Sequence, residues 1–168
     1  MLDFHVSSEV QSSFRRVDAI LSSGVFSPEG ASGPLYFSAL TELLIHLHDL
    51  LGKAAAQGAA IAFDDDVTKR GDVTDVRSLV TFVRNAVCHV SSGNHYLEEV
   101  AARVSFNTCF GCGCLAEING LRFEGEYADD VAFFFGHQRL YLRRHVIRAY
   151  TEAKAALVPL LWRANRGA

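Results

Sequence analysis

Val73-Thr74-Asp75-Val76-Arg77-Ser78-Leu79-Val80-Thr81-Phe82-Val83-Arg84-Asn85-Ala86-Val87-Cys88-His89-Val90 is the stretch on which the reading of this chain turns. Val76, Leu79, Val80, Val83, Val87 and Val90 fall on one narrow stripe at helical pitch, the pattern of a helix with one face against a core. The spacing predicts a helix over 73–90. Asp72 suits its N-cap, and Asp75 favours the positive end of the helix dipole. Ser91-Ser92-Gly93-Asn94 then breaks the pattern, with a further helical turn expected within 94–103.

Outward from this helix, the pattern stays helical on the N-terminal side. Val10, Phe14, Val17 and Leu21 mark an amphipathic helix over 7–21, capped by Ser7 or Ser8. A Gly-, Ser- and Pro-rich loop over 24–34 follows. A longer helix over 35–57 carries Leu40, Leu43, Leu44, Leu47, Leu50 and Leu51 inward, and Gly58 ends it. His46 and His48, two positions apart, point in different directions and read as structural or surface residues. Asp64-Asp65-Asp66 lacks the glycine turn and distal glutamate of a calcium loop and reads as a solvated connector.

On the C-terminal side the pattern changes. Glycines at 111, 113, 120, 125 and 136 separate short apolar pieces, which predicts small strands or hairpins inserted around 104–142. Phe133-Phe134-Phe135 should be a buried strand or a cap over the core. A last helix over 143–158 is limited or kinked by Pro159. The fold class expected is mainly α: an antiparallel bundle of four or five helices with a small β-hairpin insert, all in one domain over 1–168.

The 168 residues can bury a core without staples. A formal charge of −3 excludes the broad basic surplus of a non-specific nucleic-acid binder, so any such contact must be local. Arg139, Arg143, Arg144, Arg148 and Lys154, followed by Arg163 and Arg166, cluster late and read as a solvated helix face. No stretch approaches the roughly 20 apolar residues of a spanning helix. The start lacks a secretory signal, so a cytoplasmic location is expected, with the four cysteines as thiols or metal ligands.

The chemistry on offer sits on the polar side of the 73–90 helix. At about 100° per residue, Arg84 and His89 lie about 140° apart around the axis, with Asn85 between them. A two-fold dimer packing this helix on its copy would bring two such sets together. Histidine exchanges a proton near neutral pH, arginine grips a phosphate through paired hydrogen bonds, and asparagine can orient either. Together they suit cleavage of an RNA phosphodiester. Arginine and histidine on a polar helix face are also common without any such role.

Arg84-Asn85-Ala86-Val87-Cys88-His89 resembles the Arg-polar-x-x-x-His motif of the HEPN superfamily. Asp75-Val76-Arg77-Ser78-Leu79 before it, and the segments 129–136 and 143–149, are similar to parts of a bacterial HEPN branch. The resemblance spans about residues 35–157. It implies a HEPN-like helical bundle and a metal-independent endoribonuclease working as a homodimer. Arg84 and His89 would be catalytic and Asn85 supporting, without cofactor. It further implies a toxin or phage-defence effector restrained by an antitoxin or other regulatory protein. Family members without activity serve as dimerisation, nucleotide-binding or adaptor modules, which is the alternative reading. The insert over 104–142 departs from the plain bundle.

Cys109-Phe110-Gly111-Cys112-Gly113-Cys114 offers a second candidate, since Cys-x-x-Cys can clasp zinc and a third thiol follows. A fourth ligand would have to be His89, His95 or His137. The competing reading is a glycine turn between strands. His145 stands among arginines and could meet phosphate, though a solvated helix face is the plainer expectation. Glu98 and Glu99 are adjacent and do not converge on a helix.

Overall fold

The computed structural model describes residues 2–89, 91–97 and 102–164. Among them are four α-helices: α1 (Phe4–Ser22), α2 (Tyr36–Ala56), α3 (Val76–Cys88) and α4 (Arg148–Ala164). Seven strands accompany them: β1 (Tyr96–Leu97), β2 (Ala102–Arg103), β3 (Asn107–Phe110), β4 (Gly113–Ile118), β5 (Leu121–Gly125), β6 (Val131–Phe135) and β7 (Gln138–Tyr141). They form three antiparallel sheets, β1-β2, β3-β6-β7 and β4-β5. The fold is therefore an α+β mixture, not the mainly helical bundle that the periodicity suggested. The strands are not a small addition to a helical core. β6 and β7 are nearly all buried and α3 packs against β7, so the sheet is itself core.

The chain divides into two compact units, Met1–Ile61 with Arg148–Ala168, and Ala62–Ile147. In the first, α1, α2 and α4 pack together. Val10, Phe14 and Val17 of α1, the leucines of α2, and Ala149, Ala153 and Leu157 of α4 are buried. Leucine at i, i+3, i+4 and i+7 gives α2 a wide apolar face, which drives this packing. Asp18 on α1 accepts from Tyr150 Oη at 2.7 Å and from Lys154 Nζ at 2.7 Å, tying α4 to α1. His46 Nδ1 lies 3.1 Å from Ser13 Oγ, a structural role. α1 starts earlier than expected because Asp3, rather than Ser7 or Ser8, accepts from the Val6 amide at 2.9 Å. Pro159 does not end α4, which continues to Ala164.

In the second unit, α3 lays Val76, Leu79, Val80, Val83, Ala86 and Val87 inward. Its N-cap is Asp75, not Asp72. The Asp75 carboxylate accepts from the Ser78 amide at 2.7 Å, and Ser78 Oγ accepts from the Asp75 amide at 3.0 Å, a reciprocal capping box. Phe133 and Phe135 face one side of the sheet, where Phe106 stacks on both. Phe134 faces the other side, against Phe123 and Tyr141. The triple phenylalanine is thus a strand buried on both faces, the arrangement that allows a continuous apolar run. Asn119 (φ 49°) and Gly120 (φ 83°) make the two-residue turn of the β4–β5 hairpin. That left-handed pair matches the twist of the flanking strands.

β7 leads into a π-helical turn, Leu142–Ile147, that runs on into α4. Asp130 organises its start. Its fully buried carboxylate accepts from the amides of Val131, Arg143 and Arg144 and from Arg144 Nη1 at 3.0 Å. The Arg144 guanidinium also lies over the Tyr127 ring at 3.5 Å. Where a further helical turn was expected, the described residues hold the 3-10 turn Gly93–His95 and the short strands β1 and β2. Val90, the Glu98–Glu99 pair, Arg166 and the Arg163 side chain lie outside the described residues. No described helix is long and apolar enough to cross a membrane.

Candidate functional site

Arg84 and Asn85 occupy the last turn and a half of α3, half-buried. Arg84 Nη1 donates to Asn85 Oδ1 at 2.9 Å, and the buried Arg84 Nε has no hydrogen-bond partner. His89 has left the helix. It is the C-cap residue, with extended φ −128° and ψ 97°, and its amide still donates to the Asn85 carbonyl at 3.2 Å. Its side chain is exposed. The helical angle between Arg84 and His89 therefore does not apply, because one of the two no longer follows the helix. The structure joins Arg84 to Asn85 directly and sets His89 just beyond them on an open edge. An arginine and an imidazole so placed can grip a phosphate and exchange a proton only if a second set of groups closes the site.

His95 is buried, and its Nε2–H donates to the Ala86 carbonyl at 2.9 Å, pinning the chain after the helix back onto α3. Asn94 Nδ2 donates to the Phe82 carbonyl at 3.0 Å. The second bond joins two residues that line a groove the sequence reading missed. A cavity of about 490 Å³ runs along the exposed side of α3 past Asp72, Arg77, Ser78, Phe82, Asn85 and Asn94. A second, of about 340 Å³, shares Asp72, Phe82 and Asn94 with it and continues to Arg70, Tyr96, His137 and Gln138. Asn85 thus belongs both to the Arg84 pair and to the groove wall. The one signal in the sequence was Phe82, a large aromatic residue lying off the inward valine stripe.

His145 is not on a solvated face. It is fully buried on the π-helical turn, its Nδ1 accepting from the Tyr141 amide at 3.0 Å and its Nε2–H donating to the Asp65 carbonyl at 3.0 Å. Burial holds its pKa below the ordinary 6.5 despite the backbone bond to Asp65 and the charges of Asp66 and Asp130, which pull the other way. It is a neutral core histidine, not a phosphate contact. Asp66 accepts from Tyr127 Oη at 2.6 Å, so the aspartate triplet is part of the packed structure and not merely solvated.

Each of the three clustered thiols turns to a different backbone carbonyl: Cys109 to Gly113, Cys112 to Glu126 and Cys114 to Ala116. Of the histidines offered as a fourth zinc ligand, His95 has its Nε2 committed to Ala86, and His137 Nδ1 accepts from Arg70 at 3.2 Å. Among the described residues no group of three or more His, Cys, Asp or Glu side chains converges as a metal site.

The architecture and site define an α+β protein whose candidate centre is a polar helix end, Arg84-Asn85, followed by an exposed histidine and flanked by a groove. No protein-family model, curated protein or solved structure matches the chain.

Proposed function

We propose that this protein cleaves RNA as a homodimer, with Arg84, Asn85 and His89 at the catalytic centre. The observation that carries the reading is the direct Arg84–Asn85 hydrogen bond one turn before an exposed His89. An arginine oriented through one Nη1 hydrogen bond keeps its other Nη hydrogens as donors for a phosphoryl oxygen. The resemblance of Arg84–His89 and its flanking segments to the HEPN superfamily supports the same assignment, and it rests on sequence, not on the fold.

In this mechanism His89 takes the proton of the ribose 2′-hydroxyl. The 2′-oxygen attacks phosphorus, the bond from phosphorus to the 5′-oxygen breaks, and His89 of the second copy gives that oxygen a proton. The products are a 2′,3′-cyclic phosphate and a 5′-hydroxyl. Arg84 stabilises the charge that builds on the phosphoryl oxygens, and Asn85 fixes the guanidinium. No redox or hydrolytic co-reactant is needed for this step. An activity of this kind suits a toxin or phage-defence effector held in check by an antitoxin or other regulator.

The test is incubation of purified protein with mixed RNA beside His89→Ala and Arg84→Ala. Cleavage by the wild type and loss in both variants supports the enzyme. A wild type that neither cuts RNA nor slows growth on expression points to a non-catalytic dimerisation or nucleotide-binding module, a reading that the groove beside α3 also favours.

A further inference from the structure

We propose that the cavity between Tyr96 and His137 is a subsite for one unpaired nucleotide, holding its base, ribose and phosphate on separate groups. The inference rests on the cleavage reading only for the polymer being RNA; the pocket itself is argued from its own walls.

The cavity has the size of a small-ligand site, about 340 Å³. Two aromatic residues line it: Phe82, half-buried, and Tyr96, 49% exposed. A half-exposed tyrosine beside a polar cavity gives a base a ring to stack on. Gln138 lines the same cavity. It is only 2% exposed, yet its Oε1 has no hydrogen-bond partner. A buried carbonyl oxygen without a donor is costly, which makes it a natural partner for the N–H groups of a base edge. The last torsion of a glutamine is broad, so a small rotation turns its amide to the cavity. Such an amide supplies one acceptor and two donors, the complement of a base edge.

The other end of the cavity is charged. The Arg70 guanidinium donates to His137 Nδ1, which leaves the imidazole proton on Nε2. Arg70 supplies the positive charge for a phosphate, and the neutral His137 offers its Nε2–H as a donor beside it. Asp72 lines the cavity as well, and a carboxylate there would repel a phosphate. It suits the ribose instead, whose 2′- and 3′-hydroxyls are donors. The cavity shares Asp72, Phe82 and Asn94 with the groove that Asn85 walls, so a strand seated here can continue toward Asn85.

The experiment measures binding by fluorescence anisotropy. The full chain carries His89→Ala so that RNA stays intact. The probes are a single-stranded RNA 10-mer, an abasic oligomer of equal length and charge, and adenosine monophosphate as competitor. The expected result is about tenfold tighter binding of the base-containing strand, a difference removed by Tyr96→Ala and reduced by Arg70→Ala; both side chains are exposed, and melting curves report folding. Gln138→Met should weaken the base-containing strand alone. Competition by the mononucleotide supports a pocket that takes the free nucleotide. Strand binding without that competition supports one that takes a residue within RNA. Equal affinity for both strands, or a base preference unchanged in Tyr96→Ala, overturns the proposal. Its failure is distinct from that of the nuclease reading: cleavage without base-dependent binding removes the pocket alone, and base-dependent binding by a wild type that never cuts removes the nuclease alone.

Discussion

The Arg84 guanidinium reaches sideways along α3 to its sequence neighbour, donating from Nη1 to Asn85 Oδ1 at 2.9 Å. Adjacent helical residues do not normally face one another. Here a long side chain and a short one meet near the helix end. Asn85→Ala should therefore lower RNA cleavage about tenfold to a hundredfold, while Asn85→Asp, which keeps the acceptor, retains more. The measurement is single-turnover cleavage of one labelled RNA by each variant. Equal activity in Asn85→Ala and wild type would remove Asn85 from the site.

His89 is exposed and caps the helix through its backbone alone. His89→Ala should leave stability within about 0.5 kcal/mol, as surface substitutions do. It should lower cleavage by about 10² to 10⁴, the range of a general acid–base group. Thermal melts and initial rates check the two halves separately. A large fall in melting temperature would give this residue a structural role instead.

Gly136 turns between β6 and β7 with φ 54°, and a Cβ there would stand 2.3 Å from the Asn94 carbonyl oxygen. That contact cannot be relieved by a flexible side chain. Gly136→Ala should destabilise the protein by about 1–3 kcal/mol, read from urea unfolding. Because Asn94 lines the groove, the same variant should weaken RNA binding more than an equally destabilising change in α1.

The buried imidazole of His145 gives a pH dependence with a defined sign. Its folded-state pKa lies below 6.5, so the unfolded chain binds more protons as pH falls below that value. Its contribution is present at neutral pH and is lost as the pH drops from about 6.5 through the folded-state pKa. Protonation would set a donor against the Tyr141 amide that Nδ1 now accepts. His145→Asn should cost stability at pH 7 and flatten the slope of stability between pH 7 and 5, measured by chemical unfolding across that range. An unchanged slope would assign the acid sensitivity elsewhere.

Much of this arrangement was legible in local pattern. The valine stripe of α3 and the leucine stripe of α2 announced both helices, because one-sided burial requires that spacing. Their ends were less legible. Asp72 and Asp75 are both plausible caps, and only Asp75 has a serine three residues on to complete the box. His89 looked helical because the stripe continues to Val90, whereas its φ and ψ leave the helix. The fold class was misjudged for a related reason. Short strands carry weak periodicity, so β3 to β7 read as an insert, although their pairing buries Phe133, Phe134 and Phe135 on both faces. His145 could not be placed from sequence, since the Asp65 carbonyl that holds it lies 80 residues away. The groove was hidden likewise: it needs Asn94 and His95 folded back onto Phe82 and Ala86.

The chemistry of the cut ends discriminates most sharply. A defined RNA is incubated with wild-type protein in chelator, and the fragments are weighed by mass spectrometry. Fragments ending in a 2′,3′-cyclic phosphate, with a matched RNA carrying 2′-deoxyribose at the cut position left intact, are the predicted result. Fragments ending in a 3′-hydroxyl, or undiminished cutting at the deoxy position, would contradict attack by the neighbouring hydroxyl and with it the roles given to Arg84 and His89.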